Sequence, residues 1–519
     1  MVKNKKLLYS SILLILSLVV TLFIDKGMFS AFFMLFSLMV GTFWLLNKYN
    51  KLTKILVITL CLSFILHLFL VVLIYYTDFR PFGGGADYES YQGRAQQTAE
   101  RFLKGDFSLD SSHYGHDFPI VIAVIYSIFG SDPLVGRFLV VWFFVLTVLF
   151  AYSIVIELGG SERKAFLIGL FINLYPSYAY FGSLLLKDVI VIPLILFGIL
   201  LSIKMIKEFS WFKFAVFFLI TMAVSYLRFY VGYALIFSFI ISWFLSTNLK
   251  AKNKIFHISL SNVVFGILLS ILIGFSPLLT WQGYFGYDIF ISFLNPEKIT
   301  QYREISYNPS PKPENSETTI SYPSNIPNNP SAPSTPSTPN TQNIPNMPSL
   351  PNTPNIPNTP NIPNTPNIPN PPNGTGSSFV LETGFKQGPI KFIKNSLLSF
   401  TYSLLGPFIW QLRYGRQLVS LVETIPWYIF ILVFIYFLIG LIKKEGFYGF
   451  LKFLRKTTPL WSFAILALIA LSLFINNYGI IARIRIPMII CLVIAMSLLF
   501  DKKYLYAKHI INRSVEIIK

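Results

Sequence analysis

The chain has 519 residues, of which 54% are hydrophobic, 17% aromatic and only 13% charged, with a formal net charge of +19. Apolar runs of about 18 residues or more recur along it without the polar faces that a large soluble helical protein needs, which excludes that class. The positive residues sit in short segments between the runs rather than in one patch, which argues for membrane orientation and against a nucleic-acid partner.

Residues 1–76 carry three expected spans, at 7–24, 28–46 and 55–76. The first resembles a signal peptide but lacks a small-residue cleavage site, so it reads as a retained helix. His67, alone within the third, reads as a packed core residue.

Residues 77–132 form the first large external loop and contain "RPFGGGADYESYQGRAQQTAERFLKGDF" (80–107). Gly83, Gly84 and Gly85 permit a sharp turn along the membrane surface. A helix follows, with Asp87 near its start as either a cap or a chemically active acid. Tyr88 and Tyr91, three apart, suit the membrane interface. His113, His116 and Asp117 have spacing compatible with a metal, but Gly115 and the lack of a further clear ligand weaken that reading. "FPIVIAVIYSIFG" (118–130) has external flanks on both sides and reads as a re-entrant or interfacial helix.

Residues 133–280 form a transmembrane core with spans at 133–157, 165–186, 189–203, 212–228, 231–246 and 255–280. Residues 281–424 form a second external segment. Its Pro/Asn repeat, about 308–376, has almost nothing to bury and is expected to be disordered, either as a spacer or glycan-bearing stalk or as a neutral expansion. Within the same segment, "LLSFTYSLLGPFIWQL" (397–412) reads as interfacial. Residues 425–500 hold spans at 425–442, 459–475 and 486–500, and 501–519 are a basic tail. The expectation is an all-α polytopic protein of the plasma membrane with about twelve spans and both termini cytosolic. Cys61 and Cys491 both fall in apolar runs, so neither a disulfide nor a metal site is expected from them.

Three features in residues 70–235 carry a resemblance: an acid followed by Tyr in the first external loop, a Pro-led apolar helix ending in Phe-Gly (Pro119 to Gly130), and a later polar pair at an external helix end. In these the chain resembles the GT-C superfamily of membrane glycosyltransferases, including protein O-mannosyltransferases, which take sugars from polyprenyl-phosphate carriers. "LLGPFIWQL" (404–412) and "ARIRIPMIICLVIA" (482–495) also look like late segments of bacterial members. The chain departs from the pattern in two places. Asp87 is followed by Tyr88 rather than by a second acid, with Glu89 one place later, and Lys187-Asp188 stands where relatives often have an acid alone.

The resemblance implies transfer of a sugar from a lipid-linked donor to a glycan, lipid or protein acceptor of the cell envelope, with membrane lipids as the surroundings. It gives Asp87 the role of base with Glu89 as substitute. Tyr88, Tyr91, Lys187, Asp188, Arg228, Arg483 and Arg485 become candidates for binding substrate and lipid phosphate. Singly, each cation could equally snorkel to lipid headgroups. A divalent cation is left open, and no metal ligand is assigned.

The first alternative is a polysaccharide polymerase or ligase, which would rest on Arg413, Arg416, Arg483 and Arg485. A lipid or polysaccharide transporter fits less well, because charges lie at span ends rather than at midplane. A scaffold carrying the Pro/Asn stalk gives no reason for the polar first loop.

Overall fold

The computed structural model describes residues 26–81, 86–108, 117–247, 263–268, 388–412, 418, 420–475 and 477–500, which form helices and turns with no extended strand among them. The chain divides into two units, residues 1–307 with 376–519, and Asn308–Thr375. The second unit, with most of the Pro/Asn repeat, lies outside the described residues. So do the expected span at 7–24, most of that at 255–280, the glycine triplet, His113, His116, Arg413, Arg416 and the basic tail.

The helices in chain order are α1 (Lys26–Lys48), α2 (Lys54–Thr77), α3 (Ala86–Leu103), α4 (Asp117–Phe129), α5 (Pro133–Glu157), α6 (Glu162–Leu174), α7 (Pro176–Phe181) and α8 (Lys187–Lys207). Then follow α9 (Trp211–Leu227), α10 (Phe229–Thr247), α11 (Pro389–Leu405), α12 (Leu421–Phe474), α13 (Tyr478–Ile484) and α14 (Ile486–Ser497). Among the described residues five helices are long and apolar enough to cross a membrane, or six if the bent pair α13–α14 counts as one span. This is a membrane-embedded helical protein. The sequence-based count of about twelve includes segments outside the described residues.

Local chemistry sets several boundaries. Thr53 caps α2 by accepting from the Leu56 amide, and Asp132 caps α5 just before Pro133, whose missing N–H is harmless there. The single span expected at 165–186 is instead two helices. Pro176 disfavours helical geometry in the residue before it and restarts the chain as the first residue of short α7. The two segments read as interfacial are helical, as α4 and α11, the latter beginning at Pro389, earlier than expected.

α12 has 54 residues and as a straight rod would be about 81 Å long, far more than a bilayer's thickness. It breaks at Gly446, whose φ of 67° is left-handed. The two arms fold back on each other. Phe434 lies 5.8 Å from Trp461, and α11 touches both arms, with Trp427 Nε1 donating to Leu404 O and Ser399 Oγ to Ser472 O.

These connections sort the helix ends into two poles. Glu157, Leu158, Lys207, Arg455 and Lys456 line one cleft, and Lys207 pairs with Glu157 at 2.7 Å, so basic turns gather at one pole. Asp87, the first residues of α8, Arg228 and α13 gather at the other. Polar contacts in the apolar interior tie the bundle together. Asn173 Nδ2 donates to Ser63 Oγ at 2.8 Å, and Ser238 meets Ser462 at 2.7 Å. His67 is the packed core residue expected: it stacks on Phe144 and its Nε2 lies 2.8 Å from Gly182 O. That bond requires the proton on Nε2 and holds the loop leading into Lys187.

Candidate functional site

The site starts from Asp188, in the first turn of α8, where the helix dipole favours an anion. Its carboxylate is 9% exposed and is held by two guanidiniums. Arg228 reaches Oδ1 through Nη2 at 2.8 Å and Nε at 2.9 Å, and Oδ2 through Nη2 at 3.1 Å. Arg483 Nε lies 2.8 Å from Oδ2, an ion pair without hydrogen-bond geometry. Arg228 sits at the corner between α9 and α10, in non-helical geometry after the last helical residue. That corner is tight because Gly232 lies against Ser225: a Cβ there would come within 2.8 Å of the Ser225 Cα.

Arg483 lies in the last turn of α13 and donates from Nη1 to Asp87 Oδ2 at 2.9 Å. Asp87 lies in the first turn of α3 but keeps 56% of its side chain exposed, so it stays reachable. Tyr91, one turn along the same helix, packs edge-on against Phe118. Burial, and then the Asp87 charge, push its phenol above the ordinary range, so it remains a hydrogen-bond donor. Lys187 flanks Asp188, half-buried, and makes no salt bridge with any described residue. Its neighbour Asp188 spends its carboxylate on the two arginines instead. Three cations thus face two carboxylates, leaving one positive charge for an incoming anion.

The structure brings together Asp87, Tyr91, Lys187, Asp188, Arg228 and Arg483. It does not bring in Glu89, Tyr88 or Arg485. Glu89 accepts from Arg80 at 3.0 Å and from the Tyr88 hydroxyl at 3.1 Å. Tyr88 is buried and packed against guanidiniums. Arg485 is two residues beyond Arg483, about 200° around a helix, and so points the other way. It is buried against Glu423 at 2.8 Å and also donates to Gly406 O. Tyr175 and Ser177 donate to the same carboxylate.

Two buried polar residues escaped the sequence reading, one in the site and one beside it. Tyr230, two residues after Arg228, is buried with its hydroxyl beside that arginine's guanidinium. Glu423, the partner of Arg485, lies in an otherwise apolar run, and a lone acid entering such a run was the signal available. No group of three or more His, Cys, Asp or Glu suited to a metal occurs among the described residues. Both oxygens of Asp188 already face arginines, so this donor set does not fit a divalent ion. No family model, curated sequence or solved structure matches the chain.

Proposed function

We propose that the protein is a membrane glycosyltransferase of GT-C type, with about twelve spans. In this reading it takes a sugar from a polyprenyl-phosphate donor and transfers it to a cell-envelope acceptor on the outer face of the plasma membrane. The observation that carries the reading is the meeting of a reachable carboxylate, Asp87, with a cationic group of Arg483, Arg228 and Lys187 anchored on buried Asp188. Gathering the basic turns at the opposite pole supports the orientation, because positive loops stay cytosolic.

The chemistry follows from those groups. The acceptor oxygen attacks the sugar C1 while the bond from C1 to the donor phosphate oxygen breaks, and the phosphate leaves with the electron pair. Asp87 takes the acceptor proton, and Arg483, Arg228 and Lys187 stabilise the phosphate as its charge grows. Because Arg483 contacts Asp87 and Asp188 together, phosphate arrival competes for the same guanidinium and frees the Asp87 oxygen to act as base. Tyr91 supplies a neutral donor beside it.

The test is turnover of a polyprenyl-phosphate hexose by the purified protein, read as release of the polyprenyl phosphate in the presence of envelope extract. Asp87→Asn should lower the rate by about 10²–10⁴-fold with normal membrane levels, the usual contribution of a positioned base. Unchanged turnover in that variant sinks the assignment.

A further inference from the structure

Next to Asp87, joined to its helix through Tyr88, lies a charged cluster that the transfer step does not use. The Arg137 guanidinium lies 4.9 Å from the Tyr75 ring centre and 5.4 Å from that of Tyr88, and Arg80 lies 5.6 Å over Tyr88. The result is an alternating stack of two rings and two cations. Contacts of this kind use the flat faces of a guanidinium and leave its in-plane N–H groups to find acceptors.

The two arginines differ in how those groups are met. Arg80 donates to Asp78 at 2.7 Å and to Glu89 at 3.0 Å. Arg137 is 7% exposed, and both its Nε and Nη1 are buried without a hydrogen-bond partner. The Tyr126 hydroxyl is likewise buried; its oxygen lies against the Gly136 backbone just before Arg137, and its own proton has no acceptor. A buried guanidinium with idle donors is costly and calls for an explanation, and an acceptor arriving from outside is one.

We propose that Arg137 is an anion-binding subsite that holds an oxyanion, phosphate or carboxylate, carried by the acceptor, with Tyr126 as a second donor. Donor phosphate is already provided for by Lys187, Arg228 and Arg483. The stack instead adjoins Asp87 through Tyr88, the next residue on the same helix. Assignment to the acceptor rests on the transferase reading. The anion site itself does not.

The experiment uses full-length protein carrying Arg483→Ala, so that anion binding at the donor site is weakened. Thermal unfolding in detergent is followed against inorganic phosphate, glucuronate and phosphatidylglycerol micelles at constant ionic strength. The expected result is a saturable rise in midpoint with phosphate or glucuronate, abolished by adding Arg137→Met. Arg137→Lys, which keeps the charge but not the planar donors, should weaken the apparent affinity by about tenfold, or ~1.4 kcal/mol. It also covers the case in which Arg137→Met does not fold. No saturable rise, or the same rise whatever stands at 137, overturns the site. A rise with phosphatidylglycerol alone overturns the acceptor assignment in favour of a lipid headgroup. None of these outcomes depends on turnover, so they stand apart from the test on Asp87.

Discussion

Arg483 donates to Asp87 across 2.9 Å although 396 positions separate the two residues in the chain. The same guanidinium reaches Asp188 with its Nε at 2.8 Å. One side chain therefore joins the exposed first-loop helix to the buried anchor of the bundle. That contact turns the Asp87 carboxylate toward the cationic group.

Asp188 and Asp87 should differ sharply in what they contribute to stability. Asp188→Asn leaves two nearly buried guanidiniums sharing one neutral amide, and breaking a buried pair in this way costs about 3–5 kcal/mol. Asp87→Asn removes a pair with one exposed partner, worth about 0–1 kcal/mol after solvent screening. Thermal unfolding of the two variants in detergent should show a large drop for the first and a small one for the second. Equal drops would mean that Asp188 is not the anchor.

Much of this site was legible in the sequence because its members sit at the ends of apolar runs, where charge is conspicuous. Lys187, Asp188, Arg228 and Arg483 all stood out in that way, and hydropathy found α5 with the bounds the structure gives it. What sequence could not supply was direction. Arg483 and Arg485 looked like one pair, yet a helical path sends them to opposite sides, one to the site and one to Glu423. Glu89 failed to join for a similar reason: two positions on from Asp87, it points to Arg80 instead. The break at Pro176 was missed because the residues on either side of it remain apolar, and hydropathy is blind to one missing N–H.

Sidedness is open to direct measurement. A cell-impermeant thiol reagent should label Asp87→Cys in intact cells, since that position is exposed at the acidic and arginine-rich pole. Lys443→Cys, near the basic turn of α12, should react only after the membrane is permeabilised. Both labels are read in a background lacking Cys61 and Cys491. The reverse pattern would place the carboxylate in the cytosol and remove the proposed reaction from the outer face.

Gly446 should be sensitive to substitution for conformational reasons alone. Its φ of 67° is left-handed, and a Cβ added there would meet nothing within 4 Å. Gly446→Ala therefore gains no clash but must hold a backbone that L-residues avoid, at a cost of about 1–2 kcal/mol. Gly440→Ala is the control, because that glycine is helical with equally open space and alanine favours a helix. If both variants unfold at the wild-type temperature, the turn at 446 is not what folds α12 back.

Glu423 and Arg485 should behave as one unit. Arg485 Nη2 meets Glu423 Oε1 at 2.8 Å with both side chains almost fully buried, and Tyr175 and Ser177 complete the carboxylate's partners. Glu423→Gln leaves the buried guanidinium facing a neutral amide in place of a carboxylate, and Arg485→Met leaves a buried carboxylate without its cation. Each should cost about 3–5 kcal/mol. The double variant Glu423→Leu with Arg485→Met removes both charges together and should cost less than the two single losses added, by at least about 1 kcal/mol. This pair also ties α12 to the bend between α13 and α14, which is bent by 51°, and so sets the direction of Arg483. The single variants should therefore weaken donor turnover, although neither residue touches the site. Strict additivity in unfolding, with turnover intact, would show that the buried pair is neither coupled nor a positioning device.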